Sequence, residues 1–561
     1  MLTLPLIRST AVVASLIGIT ALTGVSSSCH AQPLHGSRTF THQDTLRGSI
    51  TPERAWWDVQ QYIISVEPDF NTKTIKGSNT IFFKPTGKGK VMQIDLQEPM
   101  VIDKAFFHGI PLPLKRDGNV YYLTFEDDLP KKEQSIRIEF SGKPREAVNP
   151  PWDGGWIWKK DKNGNPWMSV ACQGLGASVW FPCKDHQSDE PDNGAMLEII
   201  TPADLVGVGN GRLLAEHKMG TNKKVFKWAV RNPINSYNII PYIGKYVHFG
   251  EVYFGEQGPL DCDYYVLDYN LDKAKEQFKQ VAPMLKCFEY WFGPYPFYKD
   301  SYKLVESPHL GMEHQSAVAY GNGYQNGYKG NDLSGSGWGL KWDFIIVHES
   351  GHEWFANSIT SKDIADMWIH ESLTNYSETI YTGCQYGTEA GQAYVIGTRN
   401  NIRNDIPVIG PYGVNQEGSG DMYYKGGNMI HNIRTVINDD TLFRKILRGL
   451  NKEFYHQTVT TKQIEEYISK TAGKDFSKVF DQYLRTIKIP VLEYKTTEGK
   501  ISFRWNNVVD GFNMPVKADL GGKTQWINPT TEWQSVSVDG YSGKVFKADK
   551  NFYITTKEVK E

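Results

Sequence analysis

Apolar and polar residues alternate over short runs from Trp57 onward: Tyr62-Ile63-Ile64-Ser65-Val66, Thr80-Ile81-Phe82-Phe83, Tyr121-Tyr122-Leu123-Thr124-Phe125 and Ile136-Arg137-Ile138-Glu139-Phe140. A period of two marks half-buried strands, and the Gly, Pro and Asp between the runs mark turns. Further runs at 223–227 and 246–249 carry the pattern to about residue 255, so the spacing predicts a large antiparallel β domain over 51–255. Near Leu271 the period turns helical, and it stays so through Met429 to Val436, Thr441 to Leu450 and Gln463 to Ser469. A mostly helical domain is therefore expected over 256–489. A stretch rich in Gly, Asn, Tyr and Ser, from Gly321 to Gly339, interrupts it as a long loop. Alternation returns after Pro490, in Ile501-Ser502-Phe503-Arg504-Trp505 and Val536-Ser537-Val538, which predicts a small β-sandwich over 490–561. The expected class is a multidomain α+β chain without internal repeats.

The N-terminal residues read as a targeting segment. Arg8 precedes an apolar run from Ala11 to Val25, and Cys29-His30-Ala31 offers a cleavage point after Ala31. Residues 1–31 are thus expected to be a signal peptide and 32–50 a polar linker. The alternative for this region is a lipid anchor at Cys29, although Ser26 stands where a lipoprotein signal usually has Leu. No later run is long enough to span a membrane. Export to a periplasm, a cell surface or the medium follows as an expectation. A net charge of -2 over 561 residues gives no basic excess to pair with phosphates, which argues against nucleic acid as a partner. Of the six cysteines, Cys172 and Cys183 flank a short aromatic segment and are candidates for a disulfide, with buried thiols as the alternative.

Inside the helical part stands His348-Glu349-Ser350-Gly351-His352, followed after 18 residues by Glu371. Two His at i and i+4 project from one helical face and can reach one metal, while the Glu between them can address water on that metal. Catalytic zinc takes three protein ligands and one open position. Phe344-Ile345-Ile346-Val347 before the motif and Trp354-Phe355-Ala356 after it make the helix apolar, and buried His and Glu need partners there. Glu371 is the third candidate ligand. Glu378, seven residues on, returns to the same face of a second helix and is placed to accept a proton from a ligand imidazole.

These residues resemble the M1 family of zinc aminopeptidases, gluzincins that include aminopeptidase N and leukotriene A4 hydrolase. The family pattern is H-E-x-x-H, 18 residues, then Glu. The resemblance implies His348, His352 and Glu371 as zinc ligands and Glu349 as general base. Leu310-Gly311-Met312-Glu313-His314 resembles the family's G-x-M-E-N, which implies that Glu313 binds the α-ammonium of a peptide with a free N-terminus. Met422-Tyr423-Tyr424-Lys425-Gly426 resembles Y-E-K-G and implies a catalytic Tyr423, with Tyr424 as the other register. Ala171-Cys172-Gln173 resembles the segment that lends Gln or Glu to the amine site, which implies Gln173. The order of β domain, thermolysin-like catalytic domain and β-sandwich is also the family's. Leu310, His314, His370 and Ser372 depart from its usual Gly, Asn, Asn and Gly. The resemblance implies an aminopeptidase, with a zinc endopeptidase or other gluzincin hydrolase as the alternative.

Overall fold

The computed structural model describes residues 39–497, 499–538 and 546–560. The expected signal peptide, Cys29 and the first residues of the expected linker lie outside them. The rest of that linker is not featureless. Residues 42–48 form a helix (α1, His42–Gly48) closed by a capping box between Thr41 and Asp44. Its Arg47 pairs with Asp185 at 3.1 Å, and Leu46 is buried. A seven-residue helix is too short to show as periodicity, so composition alone read it as linker.

The N-terminal domain is built on an eight-stranded sheet. Strand 57–69 pairs antiparallel with 74–85 and parallel with 195–202, so the sheet is mixed rather than wholly antiparallel. Along 57–69 buried positions alternate with half-buried ones, as the period of two requires. The inward residues Val59, Tyr62, Ile64 and Val66 have no exposed surface.

The sequence boundary at 255 falls inside a hairpin. Strands β1 (Tyr246–Gly255) and β2 (Gly258–Leu267) pair along their whole length. They continue into a five-stranded sheet with β3 (Tyr302–Glu306), β5 (Val318–Tyr320) and β4 (Gly311–Met312) at the far edge. That sheet belongs with the helical domain, whose strands went unread. β3 is buried at every position and pairs in parallel with β2 and β5. Strands covered on both faces show no alternation.

Helices α2 (Val281–Phe292) and α3 (Phe344–Gly351) pack against this sheet, and α4 (Trp368–Tyr386), α5 (Tyr424–Ile437) and α6 (Asp440–Glu453) pack on them and on one another. Their apolar faces and those of the C-terminal β region join one core, from Leu285 and Trp354 to Trp505 and Phe512. The C-terminal region consists of a four-stranded and a three-stranded sheet. Cys172 and Cys183 are buried free thiols. The disulfide joins Cys287 of α2 to Cys384 of α4, 97 residues apart. Among the described residues no helix is long and apolar enough to cross a membrane.

Candidate metal centre and amine cleft

Asp343 starts α3. Its carboxylate accepts from the amides of Ile345 and Ile346, which satisfies two of the helix's free N–H groups. The helix then runs four apolar residues, Phe344 to Val347, into the core before His348. At its other end the backbone breaks. Phe355 has φ -124° and ψ 80°, and Ala356 has φ 151°, a region that L residues rarely adopt. The break turns the Phe355 carbonyl back toward the motif, where it accepts from His352 Nδ1 at 3.0 Å and from the Thr374 hydroxyl at 3.2 Å. On the other imidazole, His348 Nδ1 donates to Glu378 Oε1 at 2.7 Å. Glu378 is completely buried and is also held by Asn375 at 3.0 Å and by the Tyr394 hydroxyl at 2.6 Å. These bonds fix each ring through Nδ1 and aim both Nε2 atoms inward.

The two Nε2 atoms converge on Glu371 Oε2, at 3.7 Å from His348 and 3.3 Å from His352. The ligand atoms of the three residues all lie within 4.8 Å of one another. Donors about 2.05 Å from a common tetrahedral centre stand about 3.3–3.4 Å apart, so the separations fit one zinc ion. Charge says the same. Glu371 is 2% exposed, and its Oε2 has no hydrogen-bond donor. Burial alone would raise the Glu371 carboxyl, but His352 and His348 outweigh it and hold it below the usual range. Burial alone would lower His348, but Glu371, Glu378 and Glu349 drive it well above the usual imidazole range. The pocket is built for a cation, and these three residues would hold it.

Glu349 follows His348 and is 9% exposed. Burial, with repulsion from Glu313 and Glu371 against the pull of the two imidazoles, pushes its carboxyl up to about 7. The edge strand β4 passes close by. A Cβ on Gly311 would stand 2.7 Å from Glu349 Oε1 and 2.8 Å from Ile345 Cδ1, so glycine lets the strand approach without moving either side chain.

The next residue but one on that strand path is Glu313, 2% exposed. Its ligand oxygen, one from Glu349 and the ring nitrogen of His352 lie within 4.8 Å of one another. Gln173 Nε2 donates to Glu313 Oε1 at 2.7 Å, so the turn after 166–171 in the N-terminal domain reaches the amine position. Tyr237 donates to the same oxygen at 2.7 Å. Asn357 donates to the Glu313 carbonyl at 2.8 Å and fixes the backbone. The sequence reading missed Tyr237, and missed Tyr394 and Asn375 behind Glu378. No periodicity marks any of them.

Tyr423 stands at the start of α5, half-buried, with its ring over His348 at 6.0 Å between centroids and 29° between planes. Tyr424 is 5% exposed and has no ring contact with either ligand imidazole among the described residues. Of the two registers, Tyr423 faces the pocket. Ser372, one of the departures from the family pattern, lies on Gly426, where a Cβ would meet its Oγ at 1.8 Å. Its hydroxyl donates to the Met422 carbonyl at 2.6 Å, just before Tyr423. His314 is fully buried and meets the Tyr242 hydroxyl rather than the metal pocket.

The family models agree with this geometry. The Peptidase M1 N-terminal domain model matches residues 59–238, and the Peptidase family M1 domain model matches 276–483. The chain belongs to peptidase family M1. Among curated members it is 20% identical to probable aminopeptidase 2 of Sulfurisphaera tokodaii over 465 residues, covering 79% of this chain and 55% of that one. It is 20% identical to aminopeptidase M1 of Arabidopsis thaliana over 501 residues, covering 84% and 54%. The chain thus spans about half the length of the curated relatives it matches. The fold is that of the M1 zinc metallopeptidase of Deinococcus radiodurans, with a TM-score of 0.64 at 18% identity over 78% of this chain and 96% of that one.

Proposed function

We propose that this chain is a zinc-dependent aminopeptidase that removes the N-terminal residue of peptides. The observation that carries this reading is the position of Glu313, a buried carboxylate one residue's reach from the metal donors. A substrate ammonium held there leaves only the first peptide bond at the metal. An endopeptidase cleft would need that space for the preceding residue of the substrate.

His348, His352 and Glu371 would hold zinc. When bound, zinc supplies Lewis acidity toward the scissile carbonyl and lowers the pKa of water at its open position. Glu349 accepts the proton of the attacking water and delivers it to the leaving amine. Tyr423 donates to the carbonyl oxygen as negative charge develops. Gln173 and Tyr237 hold Glu313 in place against the ammonium. Export remains part of the proposal, supported by the Cys287–Cys384 disulfide, which persists in oxidising compartments.

Glu313→Ala tests the reading on free and N-acetylated aminoacyl reporter amides. A charge-assisted hydrogen bond in a dry cleft contributes about 1.5–3 kcal/mol, or roughly 10- to 150-fold in kcat/KM. We expect at least that loss on the free amine and little on the acetylated substrate. A parent that cleaves both equally well, or an unchanged ratio in the variant, sinks the aminopeptidase reading and leaves the endopeptidase.

Tyr423→Phe is expected to lower kcat by roughly 10²–10³, the usual cost of losing one oxyanion donor, with a much smaller change in KM. Tyr424→Phe is the control. The larger kcat loss falling on Tyr424 would reverse the assignment.

A further inference from the structure

One carboxylate near the cleft takes no part in this scheme. Glu417 lies on the segment between Val414 and Ser419 that leads into Tyr423, and it is 7% exposed. Among the described residues it has no hydrogen bond and no ion pair. Burial, then the acidic Glu371 and Glu313, push its carboxyl up to about 8, and among the described residues no cationic side chain offsets them. It is not among the described donors grouped within 4.8 Å around the metal pocket, so it stands off from the metal rather than joining the ligands.

The segment that carries it is fixed. Asn415 donates to the Gly174 carbonyl at 2.9 Å, which ties the segment to the turn bearing Gln173. The Ser419 amide donates to the Pro407 carbonyl at 2.9 Å, and a Cβ on Gly418 would strike the Val408 carbonyl oxygen at 2.0 Å. These contacts hold the backbone of the segment in place. The neighbouring Gln416, 8% exposed, also keeps a buried Oε1 without a donor. A largely buried carboxyl without a partner is held in its neutral form, and a cationic ligand is what would bring out its charge. What completes this one is a cation. The α-ammonium is already claimed by Glu313, Gln173 and Tyr237, and the segment that bears Glu417 is tied to the turn that bears Gln173.

We propose that Glu417 is the specificity-determining carboxylate of this cleft, taking the cationic side chain of the substrate's first residue, so that N-terminal Lys and Arg are preferred over apolar residues. The proposal rests on the aminopeptidase reading and deepens it.

The test is kcat/KM for Lys, Arg, Leu and Met aminoacyl amides with the parent and with Glu417→Gln, which keeps shape and removes charge. The parent is expected to favour Lys and Arg over Leu. In the variant the Lys-to-Leu ratio falls by roughly 10- to 150-fold, the range for a hydrogen bond to a charged group, with the loss on the basic substrates. Melting of the variant serves as a second readout, because Glu417 has no internal bond to lose among the described residues and the melting temperature is expected to be unchanged. A parent that turns over Leu amide without preferring Lys or Arg overturns the proposal and spares the aminopeptidase reading. Equal losses on basic and apolar substrates overturn it too, since a further ammonium anchor or a structural role would act on all of them. A parent inactive on every free-amine substrate sinks the aminopeptidase reading. Calorimetry with argininamide and leucinamide then decides the present proposal: tighter argininamide binding that Glu417→Gln abolishes supports it, and equal binding overturns it.

Discussion

Glu349→Gln is expected to lower kcat by roughly 10²–10⁴ while zinc content stays at that of the parent, the range set by losing a positioned general base. The side chain reaches the pocket from the turn of α3 between the two His, beside Gly311, and is 9% exposed. Among the described residues nothing hydrogen-bonds to its carboxylate, so the amide of Gln breaks no internal bond. The metal donors are other residues, so the ion has no reason to leave. What Gln cannot do is accept a proton from water and return it to the amine. Metal analysis and steady-state kinetics on the same preparation separate the two effects. Turnover within a few-fold of the parent would show that another group is the base. Loss of zinc along with turnover would make Glu349 a ligand and require a different donor set.

The parts of this site that were legible in the sequence are those that helix geometry fixes locally. Two His at i and i+4 lie on one face whatever the fold, and Glu371 and Glu378, seven apart, return to one face of α4 after two turns. The structure places the first pair on a single pocket and gives Glu378 the imidazole proton of His348 at 2.7 Å. Gln173 and Glu313 were reached only through family resemblance, because 140 residues separate them and no local rule brings them together.

What stayed hidden is what tertiary packing supplies. The proton on His352 is fixed by a backbone carbonyl that faces it only because the chain breaks at Phe355 and Ala356. Tyr237 and Tyr394 are single aromatics in buried surroundings, and the sequence holds 30 Tyr with nothing to distinguish those two. The disulfide partners sit on helices brought side by side, so spacing pointed instead to the near pair Cys172 and Cys183. The run at 246–249 was read as a strand, but its hairpin partner at 258–267 was not, and a single strand signal does not say which sheet it joins. Here it joined the catalytic one.

His352→Ala is expected to abolish both stoichiometric zinc and activity, and to remove the response of the fold to chelator. The remaining donors, His348 and Glu371, are too few for a catalytic zinc site. In the parent, zinc binds the native state and stabilises it in proportion to RT ln(1 + [L]/Kd), about 4 kcal/mol at a thousandfold excess over Kd. A chelator should therefore lower the parent's melting temperature by several degrees. The variant, already without metal, should melt at the same temperature with and without chelator. The substitution also leaves the Phe355 carbonyl to Thr374 alone and Glu371 without its nearer imidazole, at 3.3 Å in the parent. The variant is thus expected to melt below the metal-free parent as well. Melting curves for both proteins with and without chelator, read beside metal analysis, distinguish these outcomes. Full zinc occupancy in the variant, or a parent whose melting ignores chelator, would remove His352 from the ligand set.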